Sequence, residues 1–201
     1  MPTQTRLRAG APYGLVFALA LAVRLAYLWS WHRTALFSTP VGDGRAYLAW
    51  AHALVAGDWL GREVFYQAPL YPYFLGALHT LFGDGPWVAR LSQAVIGSLS
   101  CVLLGLAGAR FFSRRVGLVA GVGLALYAPA IYFDGLIQKA TLDAFLFSLL
   151  LLAFAQQVDR DQLELSFASG AVLGLLALVR ENALVLAPLA AVFVEIGRAH
   201  V

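Results

Sequence analysis

The sequence predicts an all-α, polytopic bundle of transmembrane helices with a large loop between its first two spans. Hydrophobic residues fill 61% of the 201 positions and charged residues 12%, whereas soluble domains are about a quarter charged. The mean hydropathy is +0.75. Several apolar runs approach the roughly 20 residues that cross a bilayer. A soluble core of this length cannot hide so much apolar surface, so we expect an integral membrane protein.

The apolar runs predict five complete spans and the start of a sixth. The first is a retained span rather than a cleaved signal sequence, because Arg24 interrupts it and Trp29 and Trp31 stand where small residues would be cleaved. The predicted spans are Ala11–Trp31, Pro86–Ala109, Val116–Phe133, Ala140–Gln156 and Leu163–Val179, with Ala183–Val194 as the incomplete sixth. Small residues four positions apart favour close helix packing in spans three and five: Gly117 with Gly121, and Gly170 with Gly174.

The segment Pro69–Phe82 decides the topology. It is about 14 residues long and contains two prolines, so it is short for a span. If it crosses, the basic stretch RFFSRR of residues 110–115 shares a side with the loop after span one. If it lies in the membrane interface, RFFSRR joins Arg6 and Arg8 in the cytoplasm, as the positive-inside bias favours. We expect the second arrangement, with a cytoplasmic N-terminus and His32–Gly85 as one extracytoplasmic loop.

The end of the chain predicts a junction rather than a natural terminus. Residues 195–201, EIGRAHV, correspond to the translation of a widely used sequencing-adapter sequence. We therefore interpret residues 1–194 as the N-terminal part of one longer membrane domain and residues 195–201 as adapter read-through.

Asp43 is the first candidate functional residue. It stands between two glycines, just before a stretch that predicts an amphipathic surface helix ending near Gly57. At the N-cap of that helix its carboxylate would accept hydrogen bonds from backbone N–H groups. Capping is the simpler of its two possible roles, and a part in catalysis is the other. The residues of the predicted apolar face are Tyr47, Trp50, Ala51 and Leu54.

A second outer loop, FDGLIQKATLD at residues 133–143, carries Asp134, Lys139 and Asp143, and Arg180 follows span five on the same side. Two acidic loops with cations around them suit a transfer reaction on an anionic lipid substrate. One acid would act as general base or bind a metal, while the cations neutralise the leaving phosphate. Sequence spacing leaves open whether the two loops meet.

Arg24 and Arg90 lie within or at the edge of spans, where a charge costs about 2.5–3.5 kcal/mol or more. They either face a polar cavity and hold a phosphate, which suits the planar guanidinium, or extend to the interface.

Other site chemistry is not indicated. His32, His52 and His79 lack metal-ligand spacing, and no phosphate-binding glycine loop, nucleophile elbow or dinucleotide fingerprint occurs. The net charge of +3 is distributed among apolar segments, which argues against nucleic acid as a partner. Cys101 is the only cysteine, so no intrachain disulfide can form.

At these residues the sequence resembles the polytopic, lipid-sugar-dependent glycosyltransferases of the GT-C fold, and most closely the family 39-like transferases of the bacterial cytoplasmic membrane. These are relatives of the protein O-mannosyltransferases and of the aminoarabinose transferase that modifies lipid A. The resemblance covers Leu15–Val194 in order. It is carried by Arg24 and by the stretches GDGRAYLAWAHALVAGDWLGREVFYQAPLYPYFLGALHTLFG, WVARLSQAVIG, ARFFSRRVGLVAG, LYAPAIYFDGLIQKATLDAFL and GLLALVRENALVLAP.

The resemblance implies a polyprenyl-phosphate sugar donor, membrane lipids as surroundings and a site on the outer face of the membrane. It implies that Asp43 is the essential aspartate of the first outer loop, and it matches Asp134 better than Asp143 to the acid of the second. We expect Asp43 and Asp134 to be catalytic. The expected substrate-binding residues are Arg24, Arg90, Lys139, Asp143 and Arg180.

The resemblance also allows a divalent metal, because in some relatives an acid just before the proline-aromatic helix helps to hold one. This chain has Gln67 there, with Glu63 one helical turn earlier, so the metal ligands stay unassigned.

The competing interpretation is a secondary transporter or lipid flippase. Such proteins favour internal repeats and helices broken at mid-membrane, whereas this sequence shows no repeat and places its polar residues in outer loops. A non-catalytic scaffold would not need Asp43, Asp134 and the outer cations together.

Overall fold

The computed structural model describes residues 2–60, 67–159 and 163–199, and this part of the chain contains helices and no strand. The predicted all-α class is therefore confirmed. The helices are α1 (Pro2–Trp31), α2 (Ala35–Ser38), α3 (Asp43–Val55), α4 (Leu70–Phe82), α5 (Pro86–Phe111), α6 (Arg114–Leu126), α7 (Ala128–Gly135), α8 (Ala140–Asp159), α9 (Leu163–Val179) and α10 (Leu186–Ala199), with a 3-10 helix at Glu181–Val185.

Within the described residues, three helices are long and apolar enough to cross a membrane: Ala11–Trp31, Pro86–Phe111 and Ala140–Gln157. They confirm three of the predicted spans almost to the residue. Helix α9 has the predicted bounds but is shorter than these three, and it is followed by the 3-10 helix and α10. A span over Leu163–Val179 and a sixth beyond it therefore stay predictions.

The predicted span Val116–Phe133 is not one straight helix. Helices α6 and α7 satisfy the length and composition of a span only as a pair, and their axes bend by 51°. The cause is Pro129 in the first turn of α7, which has no N–H to donate to the carbonyl of Ala125. That carbonyl instead faces the Arg24 guanidinium, whose Nη1 lies 3.5 Å from it.

Helix α5 lies at the centre of the bundle and packs against α1, α6, α7 and α8. Its contact with α6 depends on glycine: a Cβ at Gly117 would lie 2.2 Å from the carbonyl oxygen of Gly105, and one at Gly121 would lie 2.9 Å from that of Cys101. The predicted close packing is thus confirmed for span three. It is wrong for Gly170 and Gly174, because a Cβ there meets nothing within 4 Å.

Helices α3 and α4 pack side by side and run in parallel, since Tyr47 packs on Tyr71 near their starts and His52 on His79 near their ends. Each has 13 residues, short for a span, so the interfacial position of α4 stays a prediction.

The apolar face predicted for α3 is buried at Tyr47, Ala51 and Leu54, and Gly57 ends the helix region with a φ of 101°. Tyr71 and Leu75 of α4 join Tyr47 and Ala51 in a core cluster that includes side chains of α8 and α9. We call the end of the bundle that carries this helix pair, where α1 ends and α5 and α8 begin, the loop end.

The α5–α6 contact predicts a difference between two glycine substitutions. Gly117→Ala is expected to lower the free energy of unfolding by about 1–3 kcal/mol, because the new methyl group overlaps backbone atoms of α5. Gly170→Ala is the matched control and is expected to leave stability unchanged or slightly higher. Unfolding in detergent measures both, and equal effects of the two substitutions would contradict the packing.

Candidate active site at the loop end of the bundle

Asp43 is exposed and is the first residue of α3. The predicted N-cap role is wrong, because Gly42 occupies the N-cap with a φ of 59°, a region that favours glycine. In the first turn the Asp43 carboxylate is still stabilised by the positive end of the helix dipole. The Asp43 side chain is exposed to solvent at the loop end.

The two predicted outer loops meet directly beside Asp43. At Gly44 an added Cβ would lie 2.9 Å from the carbonyl oxygen of Ile137 and 3.4 Å from Cβ of Pro40. The second loop is shorter than predicted, because α7 continues to Gly135 and α8 starts at Ala140. A cavity of about 230 Å³ opens between the loops, and its walls include Trp31, Gly44, Arg90, Tyr132, Leu136 and Ile137.

Charged residues gather at the rim of this junction. Arg180 follows α9 and its Nε donates to Oδ2 of Asp143, in the first turn of α8, at 2.6 Å. The pKa of the Glu181 carboxyl is lowered, first by a hydrogen bond from its own backbone N–H. Burial opposes this effect, while the charge of Lys139, a hydrogen bond from the Ala68 N–H and the charge of Arg180 add to it.

Tyr47 connects Asp43 to this group. Burial raises the pKa of the Tyr47 hydroxyl, and the negative charges of Asp43 and Glu181 raise it further, while Arg180 opposes them. Tyr47 also packs in one core cluster with Val179 and Ala183, so the start of α3 lies near the end of α9. We call these residues the rim cluster: Asp43, Tyr47, Lys139, Asp143, Arg180 and Glu181.

Asp134 does not belong to the rim cluster. Its side chain is buried in α7, where Oδ2 accepts from Arg24 Nε at 2.6 Å and Oδ1 accepts from the Thr141 hydroxyl at 2.7 Å. Both carboxylate oxygens are thus occupied by protein donors. The expected catalytic acid Asp134 and the expected phosphate contact Arg24 thus form an ion pair inside the bundle, and their roles in the reaction stay predictions.

Arg90 is also buried, but it forms part of the cavity wall. Its Nε donates to the Gly135 carbonyl at 2.9 Å, and the guanidinium lies over the ring of Phe37 at 4.4 Å and that of Trp31 at 5.4 Å. These contacts hold the end of α7 and the start of α5 together. A substrate phosphate bound by Arg90, as the sequence predicts, would have to compete with these protein contacts for the guanidinium.

Sequence reasoning missed Gln93. The side-chain amide of Gln93 donates to the Asp134 carbonyl at 2.8 Å and to the Leu136 carbonyl at 2.6 Å, and its oxygen accepts from the Tyr71 hydroxyl. It therefore joins α4, α5 and the loop after α7. The sequence feature that could have identified Gln93 is its polar amide within the apolar run WVARLSQAVIG.

The position that the resemblance associates with a metal does not provide suitable ligands in the described residues. Gln67 offers a neutral amide where an acid would be needed. Glu63 lies outside the described residues.

The Arg24–Asp134 contact predicts a stability pattern. Asp134→Asn is expected to cost about 3–5 kcal/mol, because it leaves the Arg24 guanidinium buried without a counter-charge. Asp143→Asn is the matched control: it breaks the half-exposed pair with Arg180, which is worth about 0–1 kcal/mol. The double variant Arg24→Met with Asp134→Leu is expected to be more stable than Asp134→Asn in thermal unfolding. A double variant no better than the single one would argue against an ion pair at this position.

Comparison with known proteins identifies the family. The family model described as dolichyl-phosphate-mannose-protein mannosyltransferase matches residues 66–200, more than half of the chain. No curated protein and no solved structure gives a match. The match includes α4, the central helix α5, both halves of the broken span and the cationic side of the rim cluster. The chain belongs to the dolichyl-phosphate-mannose-protein mannosyltransferase family of GT-C membrane glycosyltransferases.

Proposed function

We propose that this membrane glycosyltransferase moves a sugar from a polyprenyl-phosphate donor to a lipid, glycan or protein acceptor at the outer face of the bacterial cytoplasmic membrane. The proposal rests on the rim cluster: Asp43 is exposed, Tyr47 one helical turn later interacts electrostatically with both Asp43 and Arg180, and Lys139 interacts with Glu181. A base and a phosphate-binding surface at the edge of an apolar bundle are what such a transfer requires.

The chemistry is a displacement at the anomeric carbon. The acceptor hydroxyl oxygen or amine nitrogen forms a bond to that carbon, and Asp43 takes the proton that the acceptor loses. The bond between the anomeric carbon and the phosphate oxygen breaks, and its electron pair leaves with the phosphate. Lys139 and Arg180 then stabilise the added negative charge on the polyprenyl phosphate.

The Arg180–Asp143 pair gives the phosphate contact its orientation. A guanidinium has five N–H donors in a fixed plane, and the contact with Asp143 uses the one on Nε. Asp143 thereby fixes the plane in which the remaining donors lie. In this proposal Asp143 is a positioning residue, and Glu181 keeps the local charge balanced beside Lys139.

The distribution of arginines supports the outward orientation of the loop end. Helix α5 ends at Phe111 and α6 begins at Arg114, so Arg110, Arg114 and Arg115 lie at the end of the bundle opposite Asp43. Short loops rich in arginine favour the cytoplasm. The rim cluster would then face the extracytoplasmic side, where the donor's phosphate sits at headgroup level.

One observation favours a second candidate, a transporter or lipid flippase. A span broken at Tyr127 beside the buried Arg24–Asp134 pair resembles the interrupted helices at transport sites. Membership of a glycosyltransferase family favours the first candidate, and the two differ in outcome: a transporter moves its substrate without cleaving the sugar–phosphate bond.

Asp43→Asn tests the proposal. Removing a general base is expected to lower the rate of sugar transfer by about 10²–10⁴-fold, while the exposed position leaves stability near that of the unchanged protein. The assay follows labelled sugar from a polyprenyl-phosphate donor into product, using the full-length protein in membranes. Asp58→Asn, an exposed acid shortly after α3, is the matched control. Transfer by Asp43→Asn at the control rate would rule out this role.

A further inference from the structure

Two histidines and an aspartate converge where the parallel helices α3 and α4 end, away from Asp43. The Nε2 atom of His52 lies 2.9 Å from Oδ2 of Asp84, and the Nε2 atom of His79 lies 3.7 Å from Oδ1 of the same carboxylate. One ligand atom from each of the three residues lies within 4.8 Å of the other two.

The fold brings His52 to His79 and Asp84, which follow it by 27 and 32 positions in the sequence. His52 is in the last turn of α3 and His79 in the last turn of α4, and the two helices pack side by side. Gly83 ends α4 with a φ of 84°, which a residue with a side chain rarely adopts. That reversal directs Asp84 back toward both imidazole rings, whose centroids are 5.4 Å apart.

We propose that His52, His79 and Asp84 bind a divalent transition metal ion, with Zn²⁺ as the best-fitting ion. Two imidazoles and one carboxylate form a ligand set that Zn²⁺ commonly accepts, at distances of about 2.0–2.2 Å. Three atoms within 4.8 Å of one another reach such distances from a common centre with shifts of under about 1 Å. Such an ion keeps a fourth position for water or a substrate oxygen.

The chemistry of the cluster favours a metal over a simple histidine–aspartate contact. The Nε2 atom of His79 lies 3.7 Å from the Asp84 carboxylate, too far for a good hydrogen bond, whereas one metal ion would engage both Nε2 atoms and the carboxylate together. A metal ion needs both rings neutral and uses the same two Nε2 atoms. His79 is buried and its Nδ1 has no hydrogen-bond partner among the described residues, so Nε2 is the side of the ring left to compensate its burial.

The location suggests what the ion does. The three residues line a second cavity that shares Pro40, Arg90 and Ile137 with the cavity beside Asp43. A metal here would fix α3 against α4 and against the turn into α5. Helix α3 carries Asp43 at its other end, so the ion would hold the proposed base in position. The binding itself does not depend on the proposed transfer reaction.

Metal binding tests the inference without an activity assay. The full-length protein, purified without a histidine tag and stripped with chelator, is titrated with Zn²⁺, and metal content is measured after dialysis. We expect about one tightly bound Zn²⁺ per chain, visible d–d absorption when Co²⁺ replaces it, and a melting temperature raised by about 5 °C or more at saturation.

The variants assign the ligands. His52→Ala and Asp84→Asn carry the test because both side chains are exposed, and each is expected to weaken Zn²⁺ binding by at least about tenfold and to remove the thermal shift. His32→Ala is the matched control and keeps both, since His32 stacks on Trp29 outside the cluster. No bound Zn²⁺ in the unchanged protein, or equal binding by His52→Ala, Asp84→Asn and the control, would overturn the proposal.

Discussion

The ion pair between Arg24 and Asp134 is the contact on which the rest of this bundle depends. It joins α1 to α7, with Arg24 Nε 2.6 Å from Asp134 Oδ2. The Thr141 hydroxyl, in α8, donates to the other oxygen of the same carboxylate. Two charges cannot be left unpaired inside an apolar bundle without a cost of several kcal/mol, so the pair fixes how these helices approach one another. Gly97 of α5 makes room for it: a Cβ there would lie 2.2 Å from Oδ2 of Asp134 and 2.9 Å from Nε of Arg24.

The broken span follows from the same contact and leads to the site. Pro129 leaves the carbonyl of Ala125 without its helical donor, and Arg24 faces both that carbonyl and Asp134. The bend of 51° directs α7 across the loop end, where Gln93 and Arg90 hold its last carbonyls. The loop after α7 then lies against Gly44. As a result Asp43 stands exposed at the same end of the bundle as Lys139, which precedes α8, and Arg180, which follows α9.

The sequence predicted what depends on local pattern and missed what depends on distant partners. Runs near 20 residues predicted the spans, and the spacing of Tyr47, Ala51 and Leu54 predicted the buried face of α3. Arg24 was recognised as a costly charge, but its partner is 110 positions away, which no spacing reveals. Asp134 was assigned to a loop because Pro129 was counted within a straight span. His52, His79 and Asp84 have no ligand spacing because the parallel packing of α3 and α4 brings them together.

The proposed reaction requires that the rim cluster and the paired loops face outward, opposite the arginine-rich turn. Cys101 is buried and is the only cysteine, so a single introduced cysteine reports sidedness directly. Arg45→Cys lies beside Asp43 and Ser113→Cys between α5 and α6, both exposed. In intact cells a membrane-impermeant maleimide should label Arg45→Cys, and should label Ser113→Cys only after lysis. Labelling of Ser113→Cys alone in intact cells would contradict the outward orientation of the rim cluster.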